Sequence, residues 1–262
     1  MHIVVCIKQV PDPQAPTGSF HVDETSGKPA WSPPAENVIS TFDLHAVEAA
    51  ARLREDQGAR VTLVSVGPPE VEPALRRALA VGADAAIRIE IDGATGDDRL
   101  GVARVLAAAA RKLSPVDLIL CGRIAADWDA GHVPMMLAEL LGFAGATPVL
   151  ALECQEGEFV VERLTDIGRE TIAVPAPCVL AVSNELNEPG YPTMRAVLAA
   201  QRVPLTVWSA EAIGLEGPFE PRVRLQQVYI REPAGACDFV EGDSPEAAGE
   251  ALAGMLHEAF GQ

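Results

Sequence analysis

The residues best suited to chemistry lie between 122 and 133, in the stretch GRIAADWDAGHV. Gly122, Arg123, Asp127, Asp129, Gly131 and His132 all fall in it. An apolar run, Asp117 to Cys121, precedes it, and a helix read over Gly131 to Leu141 follows, with Val133, Met136, Leu137, Leu140 and Leu141 on one stripe. A small-residue turn from a parallel strand into a helix leaves backbone N–H groups free at the positive end of the helix dipole. Phosphate is held there, outside the carboxyl edge of an open sheet. The expected chemistry is therefore anion binding, with a nucleotide as the ligand. An ordinary strand-to-helix turn with solvated acids remains open beside it. Asp127, Asp129 and His132 also have metal-ligating atoms, but no second His or Cys cluster accompanies them, so no metal site is assigned. The stretch is neither GxGxxG nor a P-loop. Glu139 and Cys121 are explained as helix face and core, and no residue is assigned as catalytic.

Several elements must hold such a turn in place. His2 to Val10 is β-branched and nearly continuous, as expected of a strand buried on both faces. Pro11, Pro13 and Pro16 then force an irregular excursion, and Phe20 to Trp31 fits a small hairpin across Ser26-Gly27. Ser40 or Thr41 caps a helix to about Gln57, with Asp43 in its first turn and Gly58 as its stop. A strand at Arg60–Val66, a helix over 70–81, a strand at Asp84–Glu90 and a helix from Asp97 or Asp98 to Leu113 follow. This alternation predicts an α/β fold, a doubly wound parallel sheet with helices on both faces.

After Gly145 the pattern changes to an antiparallel meander, Val149 to Cys154, Phe159 to Leu164 and Glu170 to Val174, and Cys178 to Ser183 returns as a buried strand. Val203 to Trp208 fits a short strand. The stretch 209–245 is rich in proline and glycine with little periodicity, as in an extended arm. It ends in a helix opened by Ser244 and Pro245. The expected division is an α/β domain over 1–205 and an arm with a terminal helix over 206–262. That arm either wraps a partner chain or packs on its own domain.

With 262 residues, 48% of them hydrophobic and 22% charged, the chain can bury a full core. Its net charge of −17 disfavours nucleic acid and anionic membranes as partners. Cys6, Cys121, Cys154, Cys178 and Cys237 are widely spaced and mostly inside apolar runs, as expected of reduced thiols. MHIVVCIKQV has no basic lead-in and is interrupted by Lys8, so neither a signal peptide nor a membrane span is expected. A cytoplasmic protein is the expectation.

Taken together, five separated stretches resemble one family, the β subunits of electron-transfer flavoproteins, including the FixA-type subunits. They are MHIVVCIKQVPD, TFDLHAVEAAARLRE, VTLVSVGPPEVEPALRRALAVGADAAIRI, DLILCGRIAADWDAGHVPMMLAELLG and SNELNEPGYPTMRAVLAAQRVPL, in the family's order. The resemblance implies a heterodimer with an α subunit that holds most of an FAD, and a second nucleotide, AMP or another FAD, in this chain. That nucleotide would be held by Cys6, Lys8, Ser40, Thr41, Asp43, Val66 and Gly67. The main cradle would be Gly122, Arg123, Ala125, Asp127, Asp129, Ala130, Gly131, His132 and Val133. Phe42 would lie against the partner's flavin. Leu186, Asn187, Glu188, Pro189, Gly190, Tyr191, Pro192, Thr193 and Met194 would form a docking loop for flavin dehydrogenases of the acyl-CoA dehydrogenase type, with Leu186 as apolar anchor.

The implied role is relay of electrons from such a dehydrogenase to a quinone reductase or ferredoxin. The chain departs from the family pattern at Gly190, where arginine is usual, and at Met194, where leucine is. His132-Val133 stands where AMP-binding members have Gln-Thr, and DWDAGHVP replaces the DGDTxQVGP of bifurcating members. AMP and a second FAD thus both remain open. The alternative from another class is a stand-alone adenine-nucleotide-binding regulatory module of the stress-protein type.

Overall fold

The computed structural model describes residues 1–91, 98–155, 157–215, 221–223, 225–230 and 239–261. Two compact units result, Met1–Val228 and Tyr229–Gln262. Asp97 and Cys237, both named above, lie outside the described residues.

The first unit is built on a nine-stranded sheet. Strands β1 (His2–Cys6), β6 (Arg60–Val66), β7 (Ala85–Glu90), β8 (Leu118–Gly122) and β12 (Cys178–Val182) are nearly continuous in Val, Ile, Leu, Ala and Cys. Apolar side chains on both faces suit a strand covered on both sides, and these pair in parallel. Along β1 the period of two sends Ile3 and Val5 into one core and Val4 and Cys6 into the other. Helices α1 (Thr41–Gln57) and α2 (Glu72–Gly82) cover the first face. Helices α3 (Arg99–Leu113) and α4 (Val133–Leu141) cover the second. The sheet is doubly wound, as expected.

The chain runs from β1 to β6 and β7 on one side, then returns to β8 on the other side of β1. The strand order therefore reverses between β1 and β8. Ligands of open α/β sheets sit at the carboxyl ends of the strands that flank such a reversal. Cys6 ends β1 and Gly122 ends β8, so the candidate loop leaves the sheet at this point.

The expected meander is part of the same sheet. Strand β9 (Ala144–Gln155) pairs in parallel with β12 through its first half and antiparallel with β10 (Glu158–Thr165) through its second, and β11 (Gly168–Pro175) closes that edge. At the other edge β13 (Thr206–Ser209) pairs in parallel with β7. The boundary expected at 205 thus falls inside the sheet, and the division lies after Val228.

Elsewhere the boundaries move for local reasons. The first strand stops at Cys6, and β2 (Gln9–Pro11) pairs instead with β5 (Asn37–Ile39). The hairpin forms as expected, from β3 (Phe20–Val22) and β4 (Pro29–Trp31). Helix α4 starts at Val133, because Gly131 holds a positive φ of 65°. An unexpected helix, α5 (Met194–Ala200), follows the expected docking loop, and the hydroxyl of Thr193 caps it by accepting from Ala196 N–H. In the second unit, α6 (Pro245–Phe260) starts from Ser244, whose hydroxyl accepts from Ala247 N–H. No described helix is long and apolar enough to cross a membrane.

Candidate functional site

A cleft opens at the carboxyl ends of β1 and β8, with about 870 Å³ of empty space including the part open to solvent. Cys6, Cys121 and Leu106 are buried at its floor, with Val66 and Val102 beside them. Gly122, Arg123, Ala125, Ala130, Gly131, His132 and Val133 form one side, and Lys8 and Asp43 close the end near α1. The apolar floor and backbone-rich side suit a ligand that is flat and apolar at one end and anionic at the other.

Asp43 organises the entrance to this cleft. Its carboxylate accepts from the Lys8 N–H and from the Gly122 N–H, both at 2.8 Å, and so ties the ends of β1 and β8 to the first turn of α1. A Cβ on residue 122 would stand 2.6 Å from Asp43 Oδ1 and 2.7 Å from Phe42 Cβ, so only glycine permits this approach. Burial raises the Asp43 carboxyl from its ordinary value to about 7, against the opposing pull of the two N–H donors.

The loop itself is tightly wound. Trp128 and Asp129 N–H both donate to the Ala125 carbonyl, Asp129 takes a positive φ of 49°, and Ala126 N–H donates to Ser40 Oγ at 3.3 Å. Lys8 Nζ reaches both oxygens of Asp127, at 2.7 and 2.9 Å. This half-exposed pair contributes little stability but fixes where the lysine stands. The Arg123 guanidinium lies 4.9 Å from the centroid of the Phe42 ring.

Two features fit an anion. Helix α4 has His132 at its N-cap with no side-chain cap, and its second residue, Pro134, has no N–H, so Val133 and Met135 carry the first amides that meet no acceptor from that residue. Arg123 Nε is buried and has no hydrogen-bond partner among the described residues. A buried donor without a partner costs on the order of 1–3 kcal/mol, which a bound acceptor would recover. The thiol of Cys121 is pushed well above its ordinary value, first by its hydrogen bond with Cys6 and then by burial. It stays protonated at neutral pH and serves as floor. Cys6, Cys121, Cys154 and Cys178 are all free.

Residues 34–213 match the electron transfer flavoprotein domain family. The chain belongs to the electron transfer flavoprotein family. It is 34% identical over 216 residues to the caffeyl-CoA reductase–Etf complex subunit CarD of Acetobacterium woodii, covering 82% of this chain and 80% of that protein. It is 30% identical over 267 residues to the electron transfer flavoprotein subunit beta of Clostridium acetobutylicum, 99% of this chain and 100% of that one. To the FixA protein of Azorhizobium caulinodans it is 33% identical over 223 residues, with coverage of 82% and 78%. Electron transfer is the role this membership supports.

The remaining positions named for this electron transfer flavoprotein chain are spread around the cleft or away from it. Ser40, Phe42, Asp127 and Asp129 brace the lining rather than forming it. Thr41 is exposed at the start of α1. Gly67 sits behind the cleft, donating to the Ile89 carbonyl and accepting from Arg88, and a Cβ there would stand 2.7 Å from Val71.

In the expected docking loop, Leu186 is half-buried and packs against the first core. The exposed apolar side chains are Tyr191, at 93%, and Met194, at 74%. Asn187, Glu188 and Gly190 are held to α1: Asn187 by His45, the Glu188 carbonyl by Arg52, and Gly190 N–H by Glu48. Pro189 and Pro192 are half-buried between them.

The wall contributed by α3, with Arg99, Val102 and Leu106, was missed at the sequence level, as were Ile7, Ile124, Trp128 and Pro134. A signal for the first three existed. Asp98 caps α3 through Gly101 N–H, and positions 99, 102 and 106 recur at helical spacing.

Proposed function

We propose that this chain is the β subunit of an electron transfer flavoprotein, working in the cytoplasm as a heterodimer with an α subunit. It relays electrons from a flavin dehydrogenase to a quinone reductase or ferredoxin. Most of an FAD is held by the α subunit, and a nucleotide, AMP or a second FAD, occupies the cleft between β1 and β8. The observation that carries this reading is the pairing of uncapped α4 amides with Arg123 Nε, which has no partner among the described residues, above an apolar floor.

FAD, when bound, supplies the redox chemistry. The residues of this chain bind and orient. The amides at His132 and Val133 and the guanidinium of Arg123 hold the nucleotide's phosphate, Lys8 adds a positive charge anchored by Asp127, and Asp43 keeps the two strand ends in register. Phe42, stacked on Arg123, presents an aromatic surface toward the partner's flavin. The surface at Tyr191 and Met194, steadied by α1, docks the dehydrogenase. The arm beyond Val228 packs on the α subunit.

Co-expression with the α subunit, release of bound small molecules by heat, and chromatography of the extract test the proposal. One FAD and one AMP per heterodimer is the outcome for a plain electron carrier. Two FAD and no AMP would assign a bifurcating type. A chain that takes no partner and releases ATP is instead a stand-alone regulatory module.

A further inference from the structure

The side of the molecule that carries α2 and α5 has a charge balance unlike the rest of the chain. Acids outnumber bases by 37 to 20 overall, yet residues 189–210 contain two arginines and no acid. We propose, resting on the docking reading of the loop 186–194, that the docking surface extends along α5 and takes an acidic segment of the flavin dehydrogenase, one with an apolar side chain set between carboxylates.

The surface is built on a single stripe. Met194, Arg195 and Leu198 recur at helical spacing on α5, with Tyr191 one turn before them and Arg202 one turn after, and all five are exposed. Val197 and Ala200 pack the other way, on the first core, so the stripe points outward. Arg76 on α2 donates to the carbonyls of Ala200 and Val203, at 2.7 and 2.6 Å, and so fixes α5 against α2. Between the two helices lies an open groove whose lining includes Pro73, Arg77, Tyr191 and Pro192.

Its charges are uncommitted. Arg77, Arg195 and Arg202 are exposed, and none forms an ion pair among the described residues. Glu72, the acid in the groove lining, is instead tied to Arg88 at 3.1 Å. Tyrosine, methionine and arginine are also the residue types that concentrate in interfaces. Cations around an apolar stripe select a segment of the converse design. Its carboxylates are drawn in by the arginines, and burial of its apolar side chain holds it. The net charge of −17 repels the same segment elsewhere, which confines the attraction to this face.

The test uses the heterodimer as electron acceptor for the flavin dehydrogenase encoded nearest the two subunit genes, in steady-state kinetics at low ionic strength. Wild type is compared with Arg195→Glu/Arg202→Glu and with Leu198→Ser. The control is Arg60→Glu/Arg104→Glu, which changes net charge equally at exposed positions on β6 and α3. Circular dichroism confirms that each is folded. The double reversal on α5 is expected to raise the KM for the heterodimer about tenfold with kcat unchanged. Leu198→Ser should raise it about fivefold, and the control should stay within about twofold of wild type. Added salt should narrow the gap between wild type and the α5 reversal. A wild-type KM in either α5 variant, or a control that raises KM as much as the α5 reversal, overturns the proposal while leaving the docking reading standing. If the dehydrogenase does not reduce wild type, the docking reading itself fails and the acidic segment with it.

Discussion

At the scale of single residues, Asp43 sets two demands against each other. Two backbone N–H groups require an ionised acceptor, while full burial disfavours the charge and moves the carboxyl from its ordinary value up to about 7. A carboxyl raised in the folded state binds more protons folded than unfolded between its ordinary range and pH 7. Its contribution is therefore present at low pH and is lost as pH rises through 7, with a slope of up to about 1.4 kcal/mol per pH unit. Urea unfolding of wild type and Asp43→Asn between pH 4.5 and 7.5 measures this. The variant's curve should be flatter with pH, because its amide cannot titrate. A parallel pH dependence in the two proteins would exclude Asp43 as the titrating group. Gly122 makes the complementary case. Gly122→Ala drives a methyl into Asp43 and Phe42, so a loss of a few kcal/mol is expected in the same assay. The nucleotide content of the heterodimer should fall as well.

Among elements, α1 has a second role beyond covering the sheet. Its first turn holds the cleft through Asp43. Its next turns hold the expected docking loop, through His45 and Asn187, through Glu48 and Gly190, and through Arg52 and the Glu188 carbonyl. Glu48→Ala removes the acceptor of Gly190 N–H and the partner of Arg52. Hydrogen exchange at residues 187–191 should quicken by roughly tenfold, consistent with loss of one hydrogen bond of about 1 kcal/mol, with no change at β8.

How much of this was legible in the sequence depended on how local each signal was. Helices α1 and α6 were read nearly to the residue, because Ser40, Gly58, Ser244 and Pro245 mark their ends in the chain itself. The loop 122–133 was legible for the same reason. Strand pairings made over long separations were not. Nothing within Gln9–Pro11 says that its partner is Asn37–Ile39, nor within Thr206–Ser209 that it joins β7. The α3 wall of the cleft was half legible: Asp98 and the spacing of 99, 102 and 106 mark a helix face, but that this face lines the cleft is set by packing across the sheet edge.

For the whole molecule, the two compact units raise the question of what the second is for. Every residue of α6 is at least partly exposed, including Leu252, Met255, Leu256 and Phe260. Leu252, Met255 and Leu256 recur at helical spacing, and so form one apolar stripe. Burying each such side chain is worth about 1.5–3 kcal/mol, so a helix of this kind gains most when another surface covers the stripe. The α subunit is the proposed surface. A chain ending at Val228 keeps the nine-stranded sheet and both cores, and should therefore unfold cooperatively with little change in midpoint. Its affinity for the α subunit should fall on the order of a hundredfold, from the loss of two or more buried side chains. Calorimetric titration of the α subunit with full-length and shortened chains measures this directly. Equal affinities would remove the arm from the interface, and a shortened chain that no longer folds would show that the arm serves its own domain.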